Sequence, residues 1–292
     1  MQTSEGLPRV AVITGASSGI GRVAARTLAA RGWRVIGTGR DPERTASAAT
    51  ELRAAAAPGV PSDMIRVDLA LLGAAKRAAD EIAALSSRVD VLINNAGGTA
   101  RQRVVTAEGN EETFAANHLG HYVLTGRLLP LLHAAAADSP RGATRIINVS
   151  SSAHESAPGL NWSDLQMLSD EFVPIRAYCN AKLANILFTR VLAEQLARDG
   201  IVAHAMHPGA VNTNFINHAD EGTQAYLRKM ELISPEEGAD TLVWLATATE
   251  PGGSSGAYFH RRQAIATSAA AQDMKVAHRL WQESERLAAA CA

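Results

Sequence analysis

An α/β fold, with a doubly wound parallel sheet of about seven strands and helices on both faces, follows from three features of the 292-residue sequence. Short apolar runs alternate with helix-length segments rich in Ala, Leu and Arg, the order expected of βαβ units. The apolar runs are near-continuous Val/Ile stretches rather than alternating ones, as in parallel strands covered on both faces. Hydrophobic residues make up 47% of the chain, enough for a sizeable core. No Pro/Gly/Ser-rich linker and no internal repeat divides it. One domain over residues 1–292 is expected, with its core at about 8–260.

The elements follow in order. RVAVIT (9–14) is a buried strand, and GRVAARTLAARG (21–32) a helix closed by Gly32. RVIGTGR (34–40) is the second strand. Asp41-Pro42 then starts a helix, with Asp as N-cap and Pro at the first position. DMIRVDL (63–69) is the third strand, followed by a helix to about 87. VDVLINNAG (89–97) is the fourth strand and a long helix covers 111–137. TRIINVSS (144–151) is the fifth strand. A helix at 175–198 ends at Gly200, IVAHAMHPG (201–209) is the sixth strand, and GAYFH (256–260) is a short last one.

Charge and composition exclude several classes. A net charge of −1 offers no basic excess to meet phosphates, so no nucleic-acid partner is expected. Two cysteines, Cys179 and Cys291, make no disulfide framework and fit a reducing cytoplasm. The N-terminal segment holds only the short apolar run 10–13, so neither a signal peptide nor a membrane anchor is expected. His118 and His121 lie three apart without a third ligand and read as polar helix residues, so no metal is expected. Cys179 reads as a small buried residue pointing away from any site.

TGASSGIG (14–21) stands between the first strand and a helix. Gly15 permits a tight turn there. Gly19 and Gly21 let the backbone approach a pyrophosphate at a helix N-terminus, whose free N–H groups and dipole favour an anion. A bare strand–helix junction would use the same glycines. The strand before, the helix after and the α/β pattern favour a Rossmann-type dinucleotide site, with Gly15, Ser17, Ser18, Gly19, Ile20 and Gly21 around the phosphates. An acidic residue at the end of the second strand would hold a ribose 2′-hydroxyl. Here the chain has Thr38-Gly39-Arg40, and an arginine matches a 2′-phosphate. Arg22 offers a second contact. These two residues predict NADP(H) ahead of NAD(H), although both also read as solvated surface arginines.

Only four lysines occur, Lys76, Lys182, Lys229 and Lys275, and Lys182 follows Tyr178 by one helical turn in RAYCNAKLANILF (176–188). A phenol with pKa near 10 is too weak an acid for work at neutrality, and a nearby cation lowers it. Spacing alone fits a surface pair equally well. The surrounding motifs decide between the two: TGASSGIG (14–21), Asp68-Leu69, NNAG (94–97), Asn117 in NHLGHY, NVSS (148–151), YCNAK (178–182) and HPGAVNT (207–213). In this order, over about residues 8–260, the chain resembles the short-chain dehydrogenase/reductase family. Within it, NVSSSAH, AYCNAKLANILF and SGAYF resemble the retinol-dehydrogenase-like branch.

The resemblance implies roles. Tyr178 is the acid in reduction and the base in oxidation. Lys182 lowers its pKa and holds the nicotinamide ribose. Ser151 hydrogen-bonds the substrate oxygen, and Asn117 holds a water in a relay to Lys182. Asp68 and Leu69 meet the adenine, Asn95, Ala96 and Gly97 the ribose, and Pro208, Gly209, Val211 and Thr213 the nicotinamide. The family pattern selects Ser151 among three adjacent serines, and strand alternation turns Ser150 and Ser152 away from it. A homodimer or homotetramer through the helices at 111–137 and 175–198 is also implied.

Two segments depart from the pattern. Ser151 precedes Tyr178 by 27 residues, about twice the common gap. The extra segment, about 155–175, carries Leu160, Trp162, Leu165, Met167 and Leu168. These residues either roof the site or form a satellite cluster that anchors the loop. Residues 214–232 occupy the place of a substrate lid, made lipophilic by Phe215, Ile216, Tyr226 and Leu227. The expected activity is NADP(H)-dependent interconversion of a carbonyl and an alcohol on a small lipophilic substrate. A non-catalytic NADP sensor and a carbon–carbon double-bond reductase stand as alternatives.

Overall fold

The computed structural model describes residues 8–169, 171–213 and 219–291. Eight strands form one sheet: β1 Val10–Ile13, β2 Arg34–Gly39, β3 Asp63–Arg66, β4 Val91–Asn94, β5 Thr144–Val149, β6 Ile201–Met206, β7 Tyr258–His260 and β8 Gln263–Ile265. Their order is β3-β2-β1-β4-β5-β6-β7-β8. All neighbours run parallel except β7 and β8. The sequence pattern expected about seven strands. The eighth, three exposed residues long, has no apolar run to betray it.

Side-chain alternation in β1 shows how the two faces are covered. Val10 and Val12 join one core with Ala75, Leu124 and Leu187 from three helices, α3 (Leu72–Leu85), α5 (Gly120–Ala137) and α6 (Pro174–Gln195). Ala11 and Ile13 join the other with Leu28 of α1 (Gly19–Ala30) and Leu242 of α8 (Pro235–Thr247). The Val/Ile runs are continuous because each residue is buried on one face or the other. α2 (Pro42–Ala55) starts as its sequence predicts: Asp41 accepts the Arg44 N–H at 2.9 Å, and Pro42 opens the helix.

The helix expected over 111–137 is interrupted. A short α4 (Glu112–Phe114) runs into a five-residue π-helical turn, Ala115–Leu119, before α5 begins. A wide turn of this kind re-aims the residues within it, and Asn117 lies in it.

The final helix, α9 (Met274–Ala290), lies beyond the family core. Asp273 caps it by accepting the Lys275 and Val276 N–H groups, and Ala277, Leu280 and Ser284 are its buried stripe. That 3–4 spacing behind an Asp is a sequence signal that the family pattern, ending near 260, did not use. Trp281 packs edge-on against Tyr122 (5.1 Å between ring centres) and tilted against Phe188 (5.8 Å). α9 thus covers part of the α6 surface expected to meet a second subunit.

The inserted segment anchors rather than roofs. Leu165 and Met167 are buried, and Leu160 and Trp162 pack on the core. The Arg279 guanidinium of α9 sits 4.4 Å from the Trp162 ring. If α9 is integral to this core, Leu280→Ala lowers the unfolding free energy by about 3 kcal/mol in urea titrations. A change under about 0.5 kcal/mol would show that the helix frays independently of the fold.

Candidate active site

The chain leaves β1 for β2 on one side and returns to β4 on the other, which opens a crevice beyond the C-terminal ends of β1 and β4. A cavity of about 1340 Å³ occupies it. Among the residues expected at the site, Gly15, Ser17, Ser18, Gly19, Ile20, Arg40, Asp68, Leu69, Asn95, Ala96 and Gly97 line this cavity. So do Asn117, Ser151, Tyr178, Lys182, Pro208, Gly209, Val211 and Thr213.

Two expected residues do not. Arg22 is drawn to Glu51 of α2, with Nε donating to Oε2 at 2.8 Å, so the opposite charge on the neighbouring helix takes it from the cavity. Gly21 lies one step inside α1, where a β-carbon would strike the Asn95 amide. Cys179 borders the cavity instead of pointing away, and burial raises its thiol pKa. Phe215 and Ile216 lie outside the described residues, as does the Tyr226 side chain; Leu227, at the end of α7 (Glu221–Leu227), lines the cavity.

The phosphate loop is braced from behind. Gly15 takes φ +68°, and a β-carbon on it would come within 2.9 Å of the Ala96 backbone. The Thr14 hydroxyl accepts the Asn95 and Ala96 N–H groups, each at 2.9 Å, and lies 2.8 Å from His121 Nε2. On the other side of that ring, Nδ1 donates to the Asn117 carbonyl at 3.0 Å. A protonated Nδ1 leaves Nε2 as the acceptor of the Thr14 O–H. One buried chain of hydrogen bonds therefore joins β1, the β4 loop and the π turn. The sequence flagged His121 but not its bond to Thr14, 107 residues away. At the front of the loop, Ser18 caps α1 without a side-chain bond, and the first turn holds no acidic residue. The open N–H groups and tight glycine approach suit a dinucleotide pyrophosphate.

The groups expected to react converge from β5 and α6. Ser151, two residues beyond β5, hydrogen-bonds Tyr178 and accepts the Ala153 N–H at 3.1 Å. Ser150 points the other way and donates to the Lys182 carbonyl at 2.7 Å. The Lys182 side chain is only 4% exposed, with Nζ donating to the Val149 carbonyl at 3.2 Å and lying 5.4 Å from the centre of the Tyr178 ring. Asn117 fixes the opposite wall. Its amide donates to the Thr113 carbonyl at 2.7 Å and the Gly98 carbonyl at 2.8 Å, and Oδ1 accepts the Gly98 N–H at 3.3 Å. A β-carbon on Gly97 would strike Asn117 Oδ1 and come within 3.3 Å of Lys182 Nζ, so the three residues are nearest neighbours.

Burial dominates the electrostatics. It pushes the Tyr178 phenol up to about 12, against the opposing hydrogen bond with Ser151. It also pulls the Lys182 ammonium down to about 8. The sequence reading has the ammonium and a charged nicotinamide ring lower the phenol together; in the chain alone, desolvation is the larger influence. The ammonium sits beside the ring and engages a backbone carbonyl, and its attraction does not offset desolvation.

Comparison with known proteins agrees with this geometry. The sequence model of one family, described as short chain dehydrogenase, matches residues 9–164. Retinol dehydrogenase 13 of Homo sapiens is 36% identical over 96% of this chain and 84% of its own. Retinol dehydrogenase 12 of Homo sapiens is also 36% identical, over 97% and 87%. Among solved structures, a Pseudomonas aeruginosa RhlG/NADP active-site complex is 30% identical over 89% of this chain and 97% of that one, with a TM-score of 0.68. The chain belongs to the short-chain dehydrogenase family. Within that family it falls in the retinol-dehydrogenase-like branch, a group of nicotinamide-dependent carbonyl/alcohol oxidoreductases.

Burial also makes the fold sensitive to acid. It holds His118 down to about 3 and both His121 and His207 down to about 4. An unfolded chain takes up these protons near pH 6.5, so it binds more protons than the folded chain between about 6.5 and 4. Stability is fully present above about pH 6.5 and is lost as pH falls toward 4. Urea midpoints should drop between pH 7 and pH 5, and a flat midpoint over that range would contradict neutral buried imidazoles.

Proposed function

We propose that the protein is an NADP(H)-dependent oxidoreductase that interconverts a carbonyl and an alcohol on a lipophilic small molecule, with Tyr178 as its acid and base. The observation that carries this reading is the meeting of Ser151, Tyr178 and Lys182 with the phosphate loop in one cavity. A sensor needs the loop, but it has no use for a phenol, a hydroxyl and an ammonium gathered at one point.

A bound nicotinamide cofactor would supply the hydride and, when oxidised, a positive charge. In reduction, Tyr178 Oη gives its proton to the substrate oxygen. Burial keeps the phenol protonated at neutrality, so the acid is loaded. Ser151 Oγ accepts the Ala153 N–H, and its own hydrogen, engaged with Tyr178, can turn to the substrate oxygen as negative charge develops there. Lys182 Nζ has further donors for ribose hydroxyls beyond the one given to Val149. In oxidation the same groups act in reverse, and the Lys182 ammonium, 5.4 Å from the Tyr178 ring centre, favours the phenolate relative to one with no cation nearby.

Arg40 and Arg44 both line the cavity and supply the positive charge that a 2′-phosphate needs. Val104, Ile175 and Met230 are large apolar residues left exposed, and all three border this cavity. An apolar rim of this kind suits a lipophilic substrate. The names of similar proteins point the same way, including a polyprenol dehydrogenase of Mus musculus at 35% identity.

With lipophilic aldehydes and ketones as substrates, consumption of NADPH should be visible by nicotinamide absorbance. Tyr178→Phe should slow turnover about 10²- to 10⁴-fold while NADPH still binds. Unchanged turnover in that variant refutes the mechanism. Turnover with NADH alone keeps the mechanism and discards the reading of Arg40.

A further inference from the structure

Arg40 and Glu112 stand on opposite walls of the cavity, one at the end of β2 and the other in α4. Arg40 Nη1 donates to Glu112 Oε1 at 3.2 Å, so the pair spans the cleft where β2 faces the helix that carries Asn117. The fold has no local need for a second carboxylate here. The preceding Glu111 already caps the helix by accepting the Thr113 and Phe114 N–H groups at 2.7 and 2.8 Å. The Glu112 N–H is engaged by the Val104 carbonyl. Its carboxylate is left to face the arginine.

We propose that Glu112 is a specificity-determining residue, which competes with the cofactor 2′-phosphate for the Arg40 guanidinium and so narrows the preference for NADP(H) over NAD(H). The proposal rests on the reading of Arg40 as the ligand of that phosphate. A free arginine would meet the phosphate at once, through two parallel N–H groups. Here NADPH must first displace a carboxylate, which then remains in the same cleft as a second negative charge. NADH carries only a hydroxyl at this position, so the ion pair stays intact and the guanidinium keeps its partner. Both effects favour NADH relative to what an isolated arginine would give. Arg40 and Glu112 are 54% and 28% exposed at their side chains, so solvent screens the competition and its size is severalfold rather than thousandfold.

The test is a set of dissociation constants for NADPH and NADH, measured by titration calorimetry at low salt on the whole chain. Glu112→Gln keeps the size of the side chain and removes its charge. It should tighten NADPH about three- to tenfold and leave NADH within about twofold. Arg40→Met should weaken NADPH about tenfold or more and spare NADH. In the Arg40→Met background the gain from Glu112→Gln should shrink, because there is no guanidinium left to compete for. Selective loss of NADPH in Arg40→Met with no gain in Glu112→Gln overturns the proposal and leaves the NADP reading standing. An equal gain from Glu112→Gln in both backgrounds also overturns it, since plain charge repulsion would then suffice. No loss of NADPH in Arg40→Met removes the reading and the proposal together. Melting curves of each variant check that the fold is retained.

Discussion

A lysine ammonium buried at the end of β5 is the constraint around which this site is organised. Placing a cation where only 4% of its residue is exposed is costly unless the surroundings hold it. The Val149 carbonyl does so, accepting both Lys182 Nζ and Asn185 Nδ2 at 3.2 Å. Ser150 returns the link by donating to the Lys182 carbonyl. These bonds set α6 against β5 in one register, and that register brings Tyr178 to Ser151. Deeper down, Asn148 donates to Thr189 and accepts from Asn94, each at 2.8 Å, so β4, β5 and α6 are tied together below the reactive groups. Buried hydrogen-bond networks of this kind rigidify a core and favour a single arrangement of it.

The cofactor side has a matching brace. The hydroxyl of Thr14 gathers the loop after β4, and His121 carries the connection on to the carbonyl of Asn117. The π turn makes this reach possible by shifting the start of α5. Glu111 acts ahead of the turn as a cap, and Asn117 acts within it as a clamp on residue 98. Phosphate loop and reactive wall therefore belong to one hydrogen-bonded frame. A frame held in place before binding spends little binding energy on ordering itself.

The parts outside the family core lean on one another. Trp162 of the inserted segment receives Arg279 of α9, and Trp281 of the same helix packs on Tyr122 and Phe188. His118, next to Asn117, meets Ser284 of α9 at 2.8 Å. The insertion and the C-terminal helix thus form one buttress behind α5 and α6. Leu160, Trp162, Leu165 and Met167 of the insertion pack there and do not line the cavity.

The sequence determined the alternation of strands and helices, the glycine loop, the cap of α2 and the candidate reactive residues. Each of these is written in local chemistry: an apolar run, a turn residue, a phenol one helical turn from an ammonium. It also contained α9 in its apolar spacing, where a reading that followed the family core stopped short. Tertiary structure alone decided that Arg22 turns to Glu51, that Arg40 turns to Glu112, and that His121 bonds a threonine 107 positions away. It also decided that burial, and not the nearby ammonium, governs the phenol. The physical reason is common to all four. A charge or a donor is committed by whichever partner the packed chain brings within about 3 Å and by how far water is excluded there, and neither quantity exists until distant segments have met.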